Sequence, residues 1–394
     1  MKSLNDKLLH FKQSVDSDNI TIMILGLGSV GTYLLDYLVS RNDSAINLVV
    51  VGRNFSKMES DVNIINVASS IRAVNRSTIS IEANVNFENV DELTRCIVKY
   101  CPDIIVNSSR VYSGLKYGSI SWKNVRAYGI WTPLSVKYIR NIMLACDAAN
   151  TDAIVINTSY SDAVIPWLKS AALPYPDFGS GNGNHLIPRI KFSVAKMLGI
   201  SDFWNIDVTL ATSHFHDVVI SKEGQTDGVP QLIQASYNGQ ILNLDYSQVF
   251  MGCKIEMPVD AKRNMMNASS NYEIIISLID ACRTHTKRTV FSPGAFGEVG
   301  GYPIVIDGTN NNLQVYFDES VFTLGEMRRK NYESIYLDGI EKIENGKLYY
   351  TDELVHKVKN SFSVDLPKYV DFKDLDSVAQ YLIDTIIIPN LNQP

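Results

Sequence analysis

Two short stretches carry the residues whose types and spacing could do chemistry. In Gly26-Leu27-Gly28-Ser29-Val30-Gly31, three glycines stand at the intervals of a phosphate-cradling turn. Gly26 permits a tight turn, Gly28 lets an anionic group approach the backbone, and Gly31 lets the following helix pack closely on the preceding strand. The unpaired N–H groups of that helix start, at Ser29 and Val30, would face phosphate oxygens. The second stretch is Thr212-Ser213-His214-Phe215-His216-Asp217. If it is a strand, both imidazoles lie on one face. Three uses are then open: His214 as general acid/base, a metal site completed by Asp217 or His185, or two structural histidines.

The elements around the glycine turn give it the right context. Residues 21–25 read as a strand and Tyr33, Leu34, Tyr37 and Leu38 as one face of a helix, so the turn joins strand to helix. A second buried strand, 46–51, ends at Gly52-Arg53-Asn54. NAD-preferring domains carry a carboxylate there for the ribose; here Arg53 stands in its place, with Asn54 beside it and Lys57 one turn on. A guanidinium suits a 2′-phosphate, so NADP(H) is the expected cofactor, with NAD possible. Arg53 stacking on adenine or facing solvent stays open as an alternative.

Residues 77–84, 102–109 and 153–158 read as further strands, separated by helices at 90–100 and 134–149. Because strand carboxyl ends line the cofactor crevice in such sheets, Asn107, Ser108, Ser109 and Asn157 become cofactor-lining candidates. The alternation predicts an α/β architecture: an N-terminal doubly wound parallel sheet of the Rossmann type over 1–160, then an α+β substrate domain over 161–394. Within the first of these, 112–128 shows no clear period and reads as a lid loop, whose Lys116, Lys123 and Arg126 could approach an anionic substrate. Further on, 225–247 reads as a β-rich insertion, 324–337 and 352–362 as helices, and 371–388 as a closing helix stopped by Pro389.

Composition excludes several partners. With 36 Lys+Arg against 42 Asp+Glu, the net charge of −6 gives no electrostatic reason for nucleic acid or an anionic membrane. No apolar run approaches the roughly eighteen residues of a membrane span. The first residues intersperse charges among their apolar positions and lack the core of a signal peptide. Five cysteines without CxxC spacing read as reduced thiols of a cytoplasmic protein.

The order of elements in the second half resembles the lactate/malate dehydrogenase family, and the N-terminal half is also similar to saccharopine dehydrogenase-type Rossmann domains. The resemblance runs through Asn157-Thr158, the turn Gly179-Ser180-Gly181, the helix 186–199, the strand 206–213 leading to His214, and Ser269-Ser270-Asn271-Tyr272. It implies a nicotinamide-dependent oxidoreductase acting on a small carboxylate-bearing substrate, in a homodimer or homotetramer. His214 would handle the proton and Arg189 would grip the carboxylate. Asn157 and Ser270 would position the reacting group, while Arg126, in a loop that lacks the family's arginine motif, is a substrate-binding candidate from its charge alone. The family's relay carboxylate should stand near 184–187, where no Asp or Glu occurs, so Asn184 or a carboxylate from elsewhere would have to orient His214. An imine or amino-acid dehydrogenase of the saccharopine or opine type, and a nicotinamide-binding sensor without turnover, are the alternative expectations.

Overall fold

The computed structural model describes residues 2–73, 75–112 and 114–391, with the side chains of Leu115 and Lys116 left outside the description. Six strands form one sheet: β1 (Ile20–Leu25), β2 (Ile46–Val51), β3 (Thr78–Glu82), β4 (Ile104–Asn107), β5 (Ile154–Asn157) and β6 (Phe178–Gly179). Their order is β3-β2-β1-β4-β5-β6 and every pairing is parallel. The inner strands are almost wholly apolar because helices cover both faces of such a sheet. Each buried Val, Leu or Ile contributes about 1.5–3 kcal/mol relative to exposure. Leu25 pairs with Val51 on one side and Asn107 on the other, so three strands end level where the strand order reverses. A crevice opens there.

The parallel sheet does not stop at residue 160. Strand β6 continues it at Phe178–Gly179, and Gly179 is pressed so closely on Pro293 that an added Cβ would lie 1.9 Å from the Pro293 carbonyl oxygen. The chain end also returns to the first half. Leu348, Tyr350, Leu375, Leu382 and Ile387 share one apolar core with Leu134, Ile139 and Trp167. Residues on both sides of position 160 therefore share a continuous core. A second core joins the other sheet face to helix Asn264–Thr284, which lies along helix Ser29–Ser40. A third surrounds Leu186, Ile190, Leu210, Phe215 and Ile220.

Four elements differ from the sequence reading. Residues 112–128 are not an irregular lid: helix Gly114–Asn124 occupies the middle, anchored by buried Tyr117 and Ile120 at helical spacing, with a short 3₁₀ turn Gly129–Trp131 beyond. The strand Ile206–Ala211 ends before the histidines, and helix His214–Glu223 begins at His214 itself. Phe215, Val219 and Ile220 are its buried apolar stripe, at intervals that outweigh the two-residue spacing of the histidines. Helix Asn264–Thr284 begins five residues before Ser269, which moves Ser270 from a helix start into its interior. The closing helix also runs past Pro389 to Leu391, through a wide turn at Ile383–Ile387. Among the described residues no helix is long and apolar enough to cross a membrane.

Candidate active site

A cleft of about 670 Å³ runs from the glycine turn to His214, a size suited to small ligands. At the glycine-turn end the backbone does the shaping. Gly26 takes φ +95°, a conformation side chains rarely adopt. A Cβ on Gly31 would fall 2.2 Å from the Gly26 carbonyl oxygen, so the helix start can reach the strand only as glycine. A Cβ on Gly28 would meet nothing within 4 Å, so the space before that amide is open. This is the cradle a pyrophosphate requires. Ser108 Oγ donates to the Gly26 carbonyl at 2.6 Å, and Ser29 Oγ accepts from Asn264 Nδ2 at 2.5 Å. Arg53, Asn54, Lys57 and Ser109 also line this end. Lys57 pairs with Asp61 at 2.9 Å and Asn54 caps helix Phe55–Arg72. Among the described residues Arg53 has no hydrogen-bond or ion-pair partner.

At the other end side chains do the shaping. His214 opens its helix with its backbone N–H donating to Asp162 Oδ1 at 3.2 Å. Its Nδ1 lies 3.1 Å from Asp338 Oδ2. Asp338 follows helix Leu324–Leu337 and is wholly buried; its Oδ1 accepts from the Tyr128 amide and its Oδ2 from the Tyr160 hydroxyl, each at 2.7 Å. The rings of Tyr128 and Tyr160 meet the imidazole edge-on at centroid distances of 4.5 and 5.2 Å. Tyr160 reaches this place from a left-handed backbone, φ +45°, which costs about 1–3 kcal/mol in a non-glycine residue.

The imidazole is thereby held with Nδ1 on the carboxylate and Nε2 toward the cleft. Burial alone would favour the neutral ring, but the charge and hydrogen bond of Asp338 prevail and raise its pKa above the ordinary histidine value. Burial pushes the nearby Asp162 carboxyl up to about 7, against the opposing pull of His214. It also raises both tyrosines, with Asp338 adding to the effect.

His216 has another fate. Its Nδ1 meets Ser334 Oγ at 2.5 Å, its Nε2 meets the Thr226 carbonyl at 3.0 Å, and burial drops its pKa to about 4. Both nitrogens are occupied, so the paired-histidine metal reading fails. Among the described residues no three His, Cys, Asp or Glu side chains gather as metal ligands.

The other expected site residues divide cleanly. Arg189 lines the cleft, 3% exposed, with Nη1 donating to the Cys253 carbonyl at 2.9 Å and Nη2 to Met257 Sδ at 3.1 Å. Asn184, Arg126, Asn157, Ser270 and Asn107 do not line it. Asn184 donates to Ser270 and Glu273 rather than orienting His214, which falls to Asp338. Arg126 is held by Glu223 and Asp227, two carboxylates that neutralise it before any substrate could. Ser270 accepts from the Gly181 amide at 2.9 Å and so fastens the glycine-rich turn. Asn107 and Asn157 are joined amide to amide at 2.9 Å beneath the crevice floor. Asn107 also accepts from Ser109, and Asn157 donates to Ser161 Oγ and the Ser159 carbonyl, so both brace the strand ends. Lys123 is outside the lining, and the Lys116 side chain lies outside the described residues.

Asp338, Asp162, Tyr128 and Tyr160 escaped the sequence reading. Asp338 stands 124 residues from His214 at an ordinary helix end, and Asp162 reads as an ordinary first-turn acid. The mixed aromatic and small-residue run before Tyr128 was the one available signal, and it pointed to a loop.

No protein-family model and no curated protein matches the chain. Among solved structures, the malate dehydrogenase of Aeropyrum pernix is similar at 16% identity and a TM-score of 0.51, over 80% of this chain and 95% of that one. The malate dehydrogenase of Plasmodium falciparum in complex with NADH is similar at 16% identity and 0.50, over 81% and 96%. A minor L-lactate dehydrogenase of Enterococcus mundtii aligns at 14% identity and 0.49, over 81% and 96%. The chain thus has a malate dehydrogenase-like fold, in agreement with the resemblance seen in its order of elements.

Proposed function

We propose that the protein is an NADP(H)-preferring oxidoreductase that moves hydride to or from a carbonyl or hydroxyl carbon of a small carboxylate-bearing substrate. The observation that carries this reading is the His214–Asp338 pair opening into the same cleft as the glycine turn. A nicotinamide dinucleotide held along Gly26–Gly31 would supply the hydride. Ser29, Val30 and the open face of Gly28 would receive its pyrophosphate, and the unpaired guanidinium of Arg53 would take a 2′-phosphate. At the reacting carbon, His214 Nε2 would give its proton to the oxygen in reduction and take it back in oxidation. Asp338 keeps Nδ1–H in place and stabilises the imidazolium. Arg189 would hold the substrate carboxylate, since its Nε has no partner.

Asp338 would take the part of the carboxylate missing from 184–187, which weighs against a sensor whose proton-handling site is dead. A cytoplasmic homodimer or homotetramer belongs to the same proposal, resting on the unpaired cysteines and the fold. The test is titration with NADPH and NADH, followed by nicotinamide fluorescence. A turnover screen with 2-oxo acids and imines follows. Tighter NADPH binding, lost in Arg53→Asp, and turnover lost in His214→Gln are expected. Binding of neither nucleotide would overturn the reading; equal binding would remove only the NADP(H) preference.

A further inference from the structure

Beside the His214 pair the cleft wall holds a second group of polar side chains that the proton chemistry leaves unused. Asp217 Oδ1, Arg189 Nε and His185 Nε2 are buried without a hydrogen-bond partner, and all three residues line the cleft. Asp217 is 5% and Arg189 3% exposed. Each such orphan costs about 1–3 kcal/mol, and more for a charged group, unless a ligand satisfies it.

The charges are also left apart. Asp217 Oδ2 stands 3.8 Å from His185 Nδ1, beyond hydrogen-bond reach. Burial, opposed by Asp217, lowers the His185 pKa and favours its neutral ring, so His185 itself brings Asp217 no full counter-charge. Arg189 spends its two terminal nitrogens on a carbonyl and a thioether, both uncharged. Asp217 and Arg189 therefore face the same cavity within range of each other's charge but without forming an ion pair, and the cations Arg263 and Lys222 line it as well.

Placement ties them to the reaction. Asp217 lies three residues after His214 on one helix, so the two side chains share a face. Arg189 comes from the first turn of the neighbouring helix Leu186–Leu198. A plain 2-oxo acid would satisfy Arg189 but would bring its negative charge toward an unpaired Asp217. A ligand with a positive donor next to its carboxylate satisfies both.

Resting on the oxidoreductase reading, we infer that Asp217, Arg189 and His185 form a subsite for an α-amino acid, Asp217 taking the ammonium group and Arg189 the carboxylate.

Calorimetric titration tests this with L-alanine, L-aspartate, L-glutamate, L-lysine and L-phenylalanine, each set against the 2-hydroxy acid of the same skeleton. At least one amino acid should bind about tenfold or more tighter than its hydroxy counterpart, as sites built around a charged hydrogen bond discriminate. Asp217→Asn should erase that preference while hydroxy-acid binding persists, and Arg189→Gln should weaken both. Overturning results are no preference for any amino acid in the unaltered protein, or a preference that survives in folded Asp217→Asn. NADPH fluorescence on the same samples separates the failures. Nucleotide binding without amino-acid preference sinks the subsite alone, and amino-acid preference without nucleotide binding sinks the oxidoreductase reading alone.

Discussion

The two ends of the cleft are built by opposite means. The glycine end is backbone from one contiguous run, Gly26 to Gly31, where what matters is the absence of side chains at the three glycines. The chemical end is side chains gathered from residues 128, 160, 162, 214 and 338, none adjacent to His214 in the chain. The first kind of site tolerates drift elsewhere in the chain but not an added methyl group. The second kind depends on several helices docking correctly. His214 and His216 repeat the lesson on a smaller scale. Both touch the segment from Ser334 to Asp338, yet one meets a carboxylate and opens to the cleft while the other meets a hydroxyl and a carbonyl and is sealed.

The strongest way to break the comparison is at the chemical end. His214→Gln should lower turnover by about 10²–10⁴, the usual yield of a positioned acid/base, while NADPH affinity stays unchanged. Asp338→Asn should act in the same direction. It should also move the alkaline limb of the reduction profile to lower pH, because the group that raises the His214 pKa is gone. If nucleotide affinity falls together with turnover in these variants, the two ends are not independent.

The sealed histidine gives the next effect, in stability. Folded His216 titrates near 4 against an ordinary 6.5, so between those values the unfolded chain binds the extra proton and stability is lost as pH falls. The window is worth about 3 kcal/mol at 1.36 kcal/mol per unit. Urea unfolding between pH 7 and pH 4.5 should show a shallower decline in His216→Gln. Asp162 has the opposite sign: its folded pKa is raised, so its contribution is full below the unfolded value and is lost as pH rises toward 7. Asp162→Asn should therefore gain more stability at pH 8 than at pH 5. A pH-independent change in either variant would deny the burial argument.

The glycines sharpen the contrast at the other end. Gly31→Ala should cost about 2 kcal/mol of stability through its clash with the Gly26 carbonyl. Gly28 has an ordinary φ of −89° and open space before it, so Gly28→Ala should unfold like the unaltered protein yet lose NADPH affinity. The smallest effect is that of Arg53→Asp, about 1.5 kcal/mol or roughly tenfold in NADPH affinity, with NADH binding spared. Calorimetry on the pair of nucleotides measures it.

How much of this was legible depended on how local each feature is. The six-residue strand at Ile46–Val51 and the helices Val90–Tyr100, Leu324–Leu337 and Asp352–Phe362 lie where the patterns put them, since burial and capping act on neighbours in the chain. The run at 112–128 misled because its small residues hide a helix that only the core contacts of Tyr117 and Ile120 reveal. The strand reading of the histidines misled because spacing of two was weighed above the helical stripe of Phe215, Val219 and Ile220. Asn107, Asn157 and Ser270, read from sequence as lining the crevice, instead brace its strand ends and its glycine-rich turn through side-chain hydrogen bonds that sequence does not show.

The sequence by itself determined the doubly wound sheet and the glycine cradle, because periodic burial and a backbone needing no side chains are written in consecutive residues. Only the tertiary structure decided which carboxylate meets His214 and that Arg126 is taken up by Glu223 and Asp227. A hydrogen bond between residues 214 and 338 exists solely where two helices, each folded for its own local reasons, come to pack together.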